Sequence, residues 1–168
     1  MKRKLLGILL ALVLVMIPAT PVLAATTADV TLTATPKFIA IADNVTSYDF
    51  GNVAESATPA MPTAYVGITN TSSIQTDQTI SVTTTTWAGG VTWAHSETAT
   101  PGVDTAGLKA SDGDGLFDII VKNGTPNDIK TNLAATTDYS YEVKLFAPTA
   151  FGDGIQKSIT LRITAAEG

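Results

Sequence analysis

The chain reads as an all-β protein, a two-layer sandwich of about eight or nine antiparallel strands. Three observations predict this. Threonine crowds the sequence beyond residue 24 while good helix segments are few, and β-branched side chains suit a pleated, half-solvated surface. Turn signals built from Gly, Pro, Asn and Asp recur at short intervals. The clearest periodic stretch, residues 133–145, ends in strict alternation. Tyr139, Tyr141, Val143 and Leu145 fall on one side, with Ser140, Glu142 and Lys144 on the other. A period of two over this length specifies a strand with one buried and one wet face.

The amino terminus has a different character. Lys2, Arg3 and Lys4 precede an apolar run over residues 5–17, then Pro18 and a small-residue stretch ending Val22-Leu23-Ala24. That layout predicts a secretory signal peptide over residues 1–24. Its apolar run is shorter than the ~20 residues of a membrane span; left uncleaved, it would be an N-terminal anchor. Residues 25–168 are then expected to form a single domain. Cleavage would remove three of the ten basic residues and no acid, leaving seven against fifteen, a net charge of −8. Such a balance argues against nucleic acid or anionic lipid as a partner. There is no cysteine, so a secreted domain of this size is expected to hold by packing alone. Thr164-Ala-Ala-Glu-Gly168 shows no apolar tail, and any retention at a surface is expected to be non-covalent.

Taken in order, residues 28–34 predict a first strand with Val30 and Leu32 facing one way. Pro36 interrupts it, as suits an edge strand, and residues 37–42 resume with Ile39 and Ile41. A Pro-rich connection follows Val53, then a strand over residues 64–70. Residues 78–88 predict a long strand with Ile80 and Val82 inward. Gly89-Gly90 then makes a two-residue hairpin into residues 91–95, because both positions accept positive φ. Residues 96–115 read as a long loop with a helical turn near 105–110. Residues 116–122 form a strand with Phe117, Ile119 and Val121 on one face, turned by Asn123-Gly124. The last strand, residues 158–164, points Ile159, Leu161 and Ile163 inward. The expected core is Val30, Leu32, Val66, Ile68, Ile80, Val82, Phe117, Ile119, Tyr141, Val143, Leu145, Ile159, Leu161 and Ile163.

Two short stretches carry family resemblances. The spacing Leu133, Thr137, Tyr139, followed by apolar residues at every second position, resembles the strand E to F corner of fibronectin type III-like and other immunoglobulin-like sandwiches. The resemblance implies an immunoglobulin-like sandwich with Tyr139 as the corner tyrosine, its hydroxyl folded back on the backbone upstream, and Thr137 as its threonine. The phrase Asp49-Phe50-Gly51-Asn52-Val53, with Val66-Gly67-Ile68-Thr69-Asn70 beyond it, resembles the opening of immunoglobulin-like domains related to the abnormal-spindle and hydin proteins. It implies the same architecture. Neither implies an activity.

Chemistry has few places to sit. One histidine, His95, and no cysteine leave little for a nucleophilic triad, and no serine stands in a nucleophile-elbow context. No glycine-rich loop leads into a helix, as a phosphate cradle would require. An enzyme is not expected. Asp112-Gly113-Asp114-Gly115-Leu116-Phe117-Asp118 places three carboxylates, Asp112, Asp114 and Asp118, among glycines. Calcium takes six to eight oxygens, and turns of this kind converge them. The other reading is a glycine-softened turn feeding the next strand. In Trp87-Ala88-Gly89-Gly90-Val91-Thr92-Trp93, a two-residue loop would send Trp93 inward. Trp87 would then face solvent among threonines, a candidate contact for a glycan or partner, whereas a three-residue loop over 88–90 would put both tryptophans on one face. Asn44, Asn70 and Asn123 begin N-glycosylation sequons.

The sequence therefore predicts a secreted, non-enzymatic structural or adhesive component of a prokaryotic cell surface, filament or extracellular matrix. Its partner would be itself, as a homopolymer, or other surface proteins or glycans. A carbohydrate- or ligand-binding module working through Trp87 is the alternative, and a small hydrolase the third reading. The strand at residues 28–34 stands close to the expected mature terminus, where it could pair at home or add to a neighbour's sheet.

Overall fold

The computed structural model describes residues 31–168, so the expected signal peptide and Val30 lie outside the described residues. Residues Pro36–Gly168 make one compact unit. It is all-β, with eleven strands in two sheets rather than eight or nine. They are β1 (Ile41–Asp43), β2 (Val66–Asn70), β3 (Thr76–Val82), β4 (Thr86–Trp87), β5 (Trp93–Ser96), β6 (Thr105–Ser111), β7 (Ile119–Ile120), β8 (Lys122–Asn123), β9 (Asn127–Leu133), β10 (Asp138–Phe146) and β11 (Leu161–Glu167). The excess comes from long expected strands broken in two and from one strand, β6, where a loop was expected. A bend over residues 83–85 separates β3 from β4, and Val121 separates β7 from β8.

One sheet has the order β1-β2-β10-β6-β5-β4, with β7 also on β6. The other runs β11-β3-β8, with β9 also on β3. Pairing is antiparallel except for β5 with β6 and β3 with β8, which are parallel. Inward residues alternate as the sequence predicts, except that Glu142, expected on the wet face of β10, is 1 % exposed. In β2, Val66, Ile68 and Asn70 are buried; in β10, Tyr141, Val143 and Leu145; in β3, Thr76, Gln78, Ile80 and Val82. These faces meet in one core, where burial of a Leu- or Val-sized side chain contributes roughly 1.5–3 kcal/mol.

Several expectations are corrected. Residues 105–110 are not a helical turn but most of β6, a seven-residue strand. Its inward side is Ala106, Leu108 and Ala110, all at most 1 % exposed. Small residues carry the alternation there, and Gly107 is needed because a Cβ would stand 2.5 Å from Ala99 Cα. Phe117 is not in the core. It is half-buried beneath Lys144, whose ammonium lies 4.3 Å from the ring centroid on the sheet's outer face. Residues 31–34 are not in a strand, and Leu32 is exposed rather than core. Ile159, Leu161 and Ile163 keep the expected parity but are only half-buried.

At the corner before β10 two side-chain hydroxyls turn back onto the upstream backbone. Tyr139 Oη donates to the Ile129 carbonyl at 3.0 Å, ten residues upstream, and Thr137 Oγ1 donates to the Ala134 carbonyl at 2.6 Å. Burial pushes the Tyr139 phenol well above its ordinary pKa. Asn70 straps this corner to β2. Its Nδ2 donates to the carbonyls of Leu133 at 2.9 Å, Ala134 at 3.0 Å and Ile74 at 3.1 Å. Its Oδ1 accepts the Ser72 N–H at 3.0 Å. Its backbone exchanges hydrogen bonds with Thr136 and Thr137, holding Thr136 at a φ of 58°, a left-handed value that β-branched residues resist.

Candidate functional site: a cleft beside the open sheet edges

Each sheet has an unpaired strand flank next to the other's. Among the described residues, β1 forms a ladder only with β2, and β11 only with β3. On this side the sandwich does not close. An open cleft of about 1230 Å³ runs between the inner faces of β1, β2 and β10 and that of β11. Its volume exceeds the ~300–1,000 Å³ of an ordinary small-molecule pocket. Tyr141, Val143, Trp87 and Trp93 line it from one sheet, and Leu161 and Ile163 from the other. This is why the apolar residues of β11 are only half-buried: they face an unfilled gap rather than a second layer.

Two segments frame the cleft. Residues 45–53 follow β1 along it, held by an aromatic cluster. There the Tyr48 ring meets Phe50 edge-on at 5.0 Å and Tyr65 at 4.8 Å. Residues 153–160 form the other wall before β11. Near one end, Lys37 pairs with Glu167 at the close of β11. Tyr141 has its pKa pushed up to about 12, by burial first and then by the negative charge of Asp43. Its phenol therefore stays neutral at any ordinary pH.

Trp87 requires a correction. It is 5 % exposed and does not face solvent. The register pairs Trp87 with Trp93 and Thr86 with Ala94, so the connection is the five residues 88–92 and both indoles share the inward face. The reason lies outside the hairpin. Ala88 exchanges two backbone hydrogen bonds with Ser158, and Val91 N–H donates to Asp153. Gly89 and Gly90 have φ values of 113° and 50° and press against this loop. A Cβ on Gly89 would stand 2.2 Å from the Gln156 carbonyl oxygen, and one on Gly90 would stand 2.1 Å from Asp153 Oδ2. Tertiary packing thus fixes the register in place of a tight turn. Trp93 stacks on Phe151 at 5.2 Å, and Lys157 lies 5.9 Å from its ring centroid. The indole Nε1 atoms of Trp87 and Trp93 are buried with no partner among the described residues.

Asp153 and Lys157 organise this wall. The nearly buried Lys157 ammonium donates to Asp153 Oδ1. That bond, with the N–H of Val91 next in weight, pulls the Asp153 carboxyl down to about 2. The Gly-flanked position of Asp153 was the only signal available, and it reads as any turn.

The acidic stretch folds as a turn. Asp114 Oδ1 accepts from Leu116 N–H at 2.8 Å and from Ser111 Oγ at 3.0 Å, while Gly113 and Gly115 take φ values of 89° and 78°. The Leu116 N–H, first among its causes, holds the Asp114 carboxyl below its ordinary pKa. Among the described residues no three His, Cys, Asp or Glu side chains gather as a metal site, so Asp112, Asp114 and Asp118 do not converge. His95 is 7 % exposed, and its Nε2 donates to the Val121 carbonyl at 2.8 Å, tying β5 to the core.

Among the described residues no helix is long and apolar enough to cross a membrane. No family model, curated protein or solved structure matches the chain.

Proposed function

We propose that the protein is a secreted, non-enzymatic structural or adhesive component of a prokaryotic cell surface, filament or matrix, working through self-association. One observation carries this reading: a cleft lined by apolar and polar side chains alike and flanked by two strand edges, β1 and β11, that are unpaired among the described residues. Natural β proteins cover, charge or shorten such edges, because exposed N–H and C=O rows recruit other strands. Here β11 presents seven residues. The acidic charge left after leader removal, the threonine-rich outer faces and a single histidine spent on a structural hydrogen bond support the same reading. Size-exclusion chromatography and negative-stain microscopy of the purified chain test it. Concentration-dependent fibres or sheets are expected. A monodisperse monomer from micromolar to millimolar concentration, with no envelope association in a secreting host, would remove the proposal.

A second reading rests on the two unpartnered indole N–H groups in the cleft. Trp87 and Trp93 would hold an extended ligand that offers acceptor oxygens, such as a glycan, inside the cleft instead of on the sheet surface. Pull-down on insoluble polysaccharides, with Trp87→Phe as the comparison, separates this from self-association.

A further inference from the structure

We infer that the cleft beside β11 is an acceptor site for a strand of a second copy of this chain, supplied by residues 28–34. The inference rests on the self-association proposed above and names its site and occupant. Among the described residues β11 is unpaired on one flank, and its inward residues Leu161 and Ile163 are half-buried against open volume. A strand added along this flank would complete the ladder and roof the cleft, as in β-augmentation.

Residues 28–34 have the pattern such a strand needs. Ala28, Val30, Leu32 and Ala34 share one parity, and Asp29, Thr31 and Thr33 the other. At ~3.3 Å per residue a seven-residue strand spans ~23 Å, the reach of the seven residues of β11. Leu32 is 90 % exposed, an apolar side chain without cover. With Val30 and Leu32 turned into the cleft toward Leu161 and Ile163, Asp29 would stand on the outer face. That face of β11 carries Arg162, exposed and without an ion pair among the described residues. Apolar parity, length and charge therefore agree. Pro36, just beyond the donor, cannot extend a ladder and separates it from the strand that begins at Ile41. A donor on each copy and an acceptor on each copy make a head-to-tail contact, which propagates into a filament when the rotation does not close.

The absence of cysteine permits a clean test by cross-linking. Full chains carrying Thr31→Cys are mixed with full chains carrying either Arg162→Cys or Thr164→Cys, assembled, and oxidised. The expected result is a covalent dimer of the two variants on a non-reducing gel with at least one acceptor position. It should be absent when the donor also carries Leu32→Asp, whose circular dichroism should match the parent. Assembly that persists with Leu32→Asp, and no cross-link at either acceptor, overturns the inference and leaves self-association standing. In dilute solution, a chain carrying both Thr31→Cys and Thr164→Cys that closes only on itself overturns it as well, because the cleft then takes its own strand. If neither assembly nor cross-link occurs, both the inference and the self-association reading fall.

Discussion

Asn70→Ala should be among the most damaging single substitutions in this protein. The side chain is fully buried, and its amide donates to the carbonyls of Leu133, Ala134 and Ile74 while accepting from Ser72 N–H. Alanine removes all four contacts. The Ala134 carbonyl keeps its bond from Thr137 Oγ1, so three groups lose the Asn70 contact: the Leu133 and Ile74 carbonyls and the Ser72 N–H. At roughly 1–3 kcal/mol for each buried group left unmet, with part recovered by relaxation and water, the loss is about 3–5 kcal/mol. That is a large fraction of the ~5–15 kcal/mol that holds a domain together. For a domain of this size it corresponds to a melting temperature lower by roughly 10–20 °C. Thermal and urea unfolding followed by circular dichroism measure it. Asn70→Asp sharpens the test, because a carboxylate would face the Leu133 and Ala134 carbonyl oxygens. The folded state would favour the neutral acid and raise the folded pKa, so stability lost at pH 7 should return in part as pH falls through it. A loss below ~0.5 kcal/mol for Asn70→Ala, the scale of an ordinary surface change, would refute this account of the corner. The same burial predicts that the Asn70 sequon is closed to modification once the chain has folded.

Further outcomes follow from the same geometry. Tyr139→Phe should cost about 1–2 kcal/mol in chemical denaturation, because the Ile129 carbonyl loses its donor in a half-buried site. An unchanged midpoint would mean the corner bond contributes nothing. Acrylamide should quench Trp87 and Trp93 equally weakly in the monomer, since both are under 10 % exposed; a Trp93→Phe variant that remains readily quenched would refute the five-residue connection. The depressed Asp153 carboxyl contributes stability that is present above the unfolded carboxylate pKa of ~3.9 and is lost as pH falls through about 2. Acid unfolding of Asp153→Asn should lack that component, and identical acid profiles would contradict the clasp with Lys157 and Val91. Millimolar calcium should leave the melting temperature unchanged, because Asp114 is committed to its own turn; a calcium-dependent rise lost in Asp114→Asn would show that Asp112, Asp114 and Asp118 rearrange around an ion.

What the sequence shows and hides has a physical pattern. Alternation in β2, β3 and β10 is carried by Val, Ile, Leu and Tyr, whose burial is dictated by their own hydrophobicity, and those strands are legible. The strand β6 is hidden because Ala106 and Ala110 alternate too weakly to stand out, although both are completely buried. The hairpin register is misread because two glycines accept many turns. The choice among turns is made by Asp153, Gln156 and Ser158, some sixty residues away and unrelated by any local pattern. The Asp112, Asp114 and Asp118 spacing shows a related limit: three carboxylates at short intervals say which residues are near in sequence, while the Leu116 N–H competes for an Asp114 oxygen.

The most informative departure lies at the last strand. Ile159, Leu161 and Ile163 point inward as expected, yet the inside they point to is open. Alternation specifies which face of a strand seeks cover and is silent on whether the same chain supplies it. A monomer that left Leu161 and Ile163 half-covered beside a cleft of about 1230 Å³ would forgo burial available to almost any folded competitor. That deficit sits next to a backbone edge on β11 that is unpaired among the described residues, so one added strand would remedy both the apolar and the hydrogen-bonding shortfall. Places where local rules are obeyed and the global packing stays unfinished are where a second chain or a ligand is expected to act. In this protein that place is a single continuous one, from Trp87 and Trp93 at the floor to the free flank of β11.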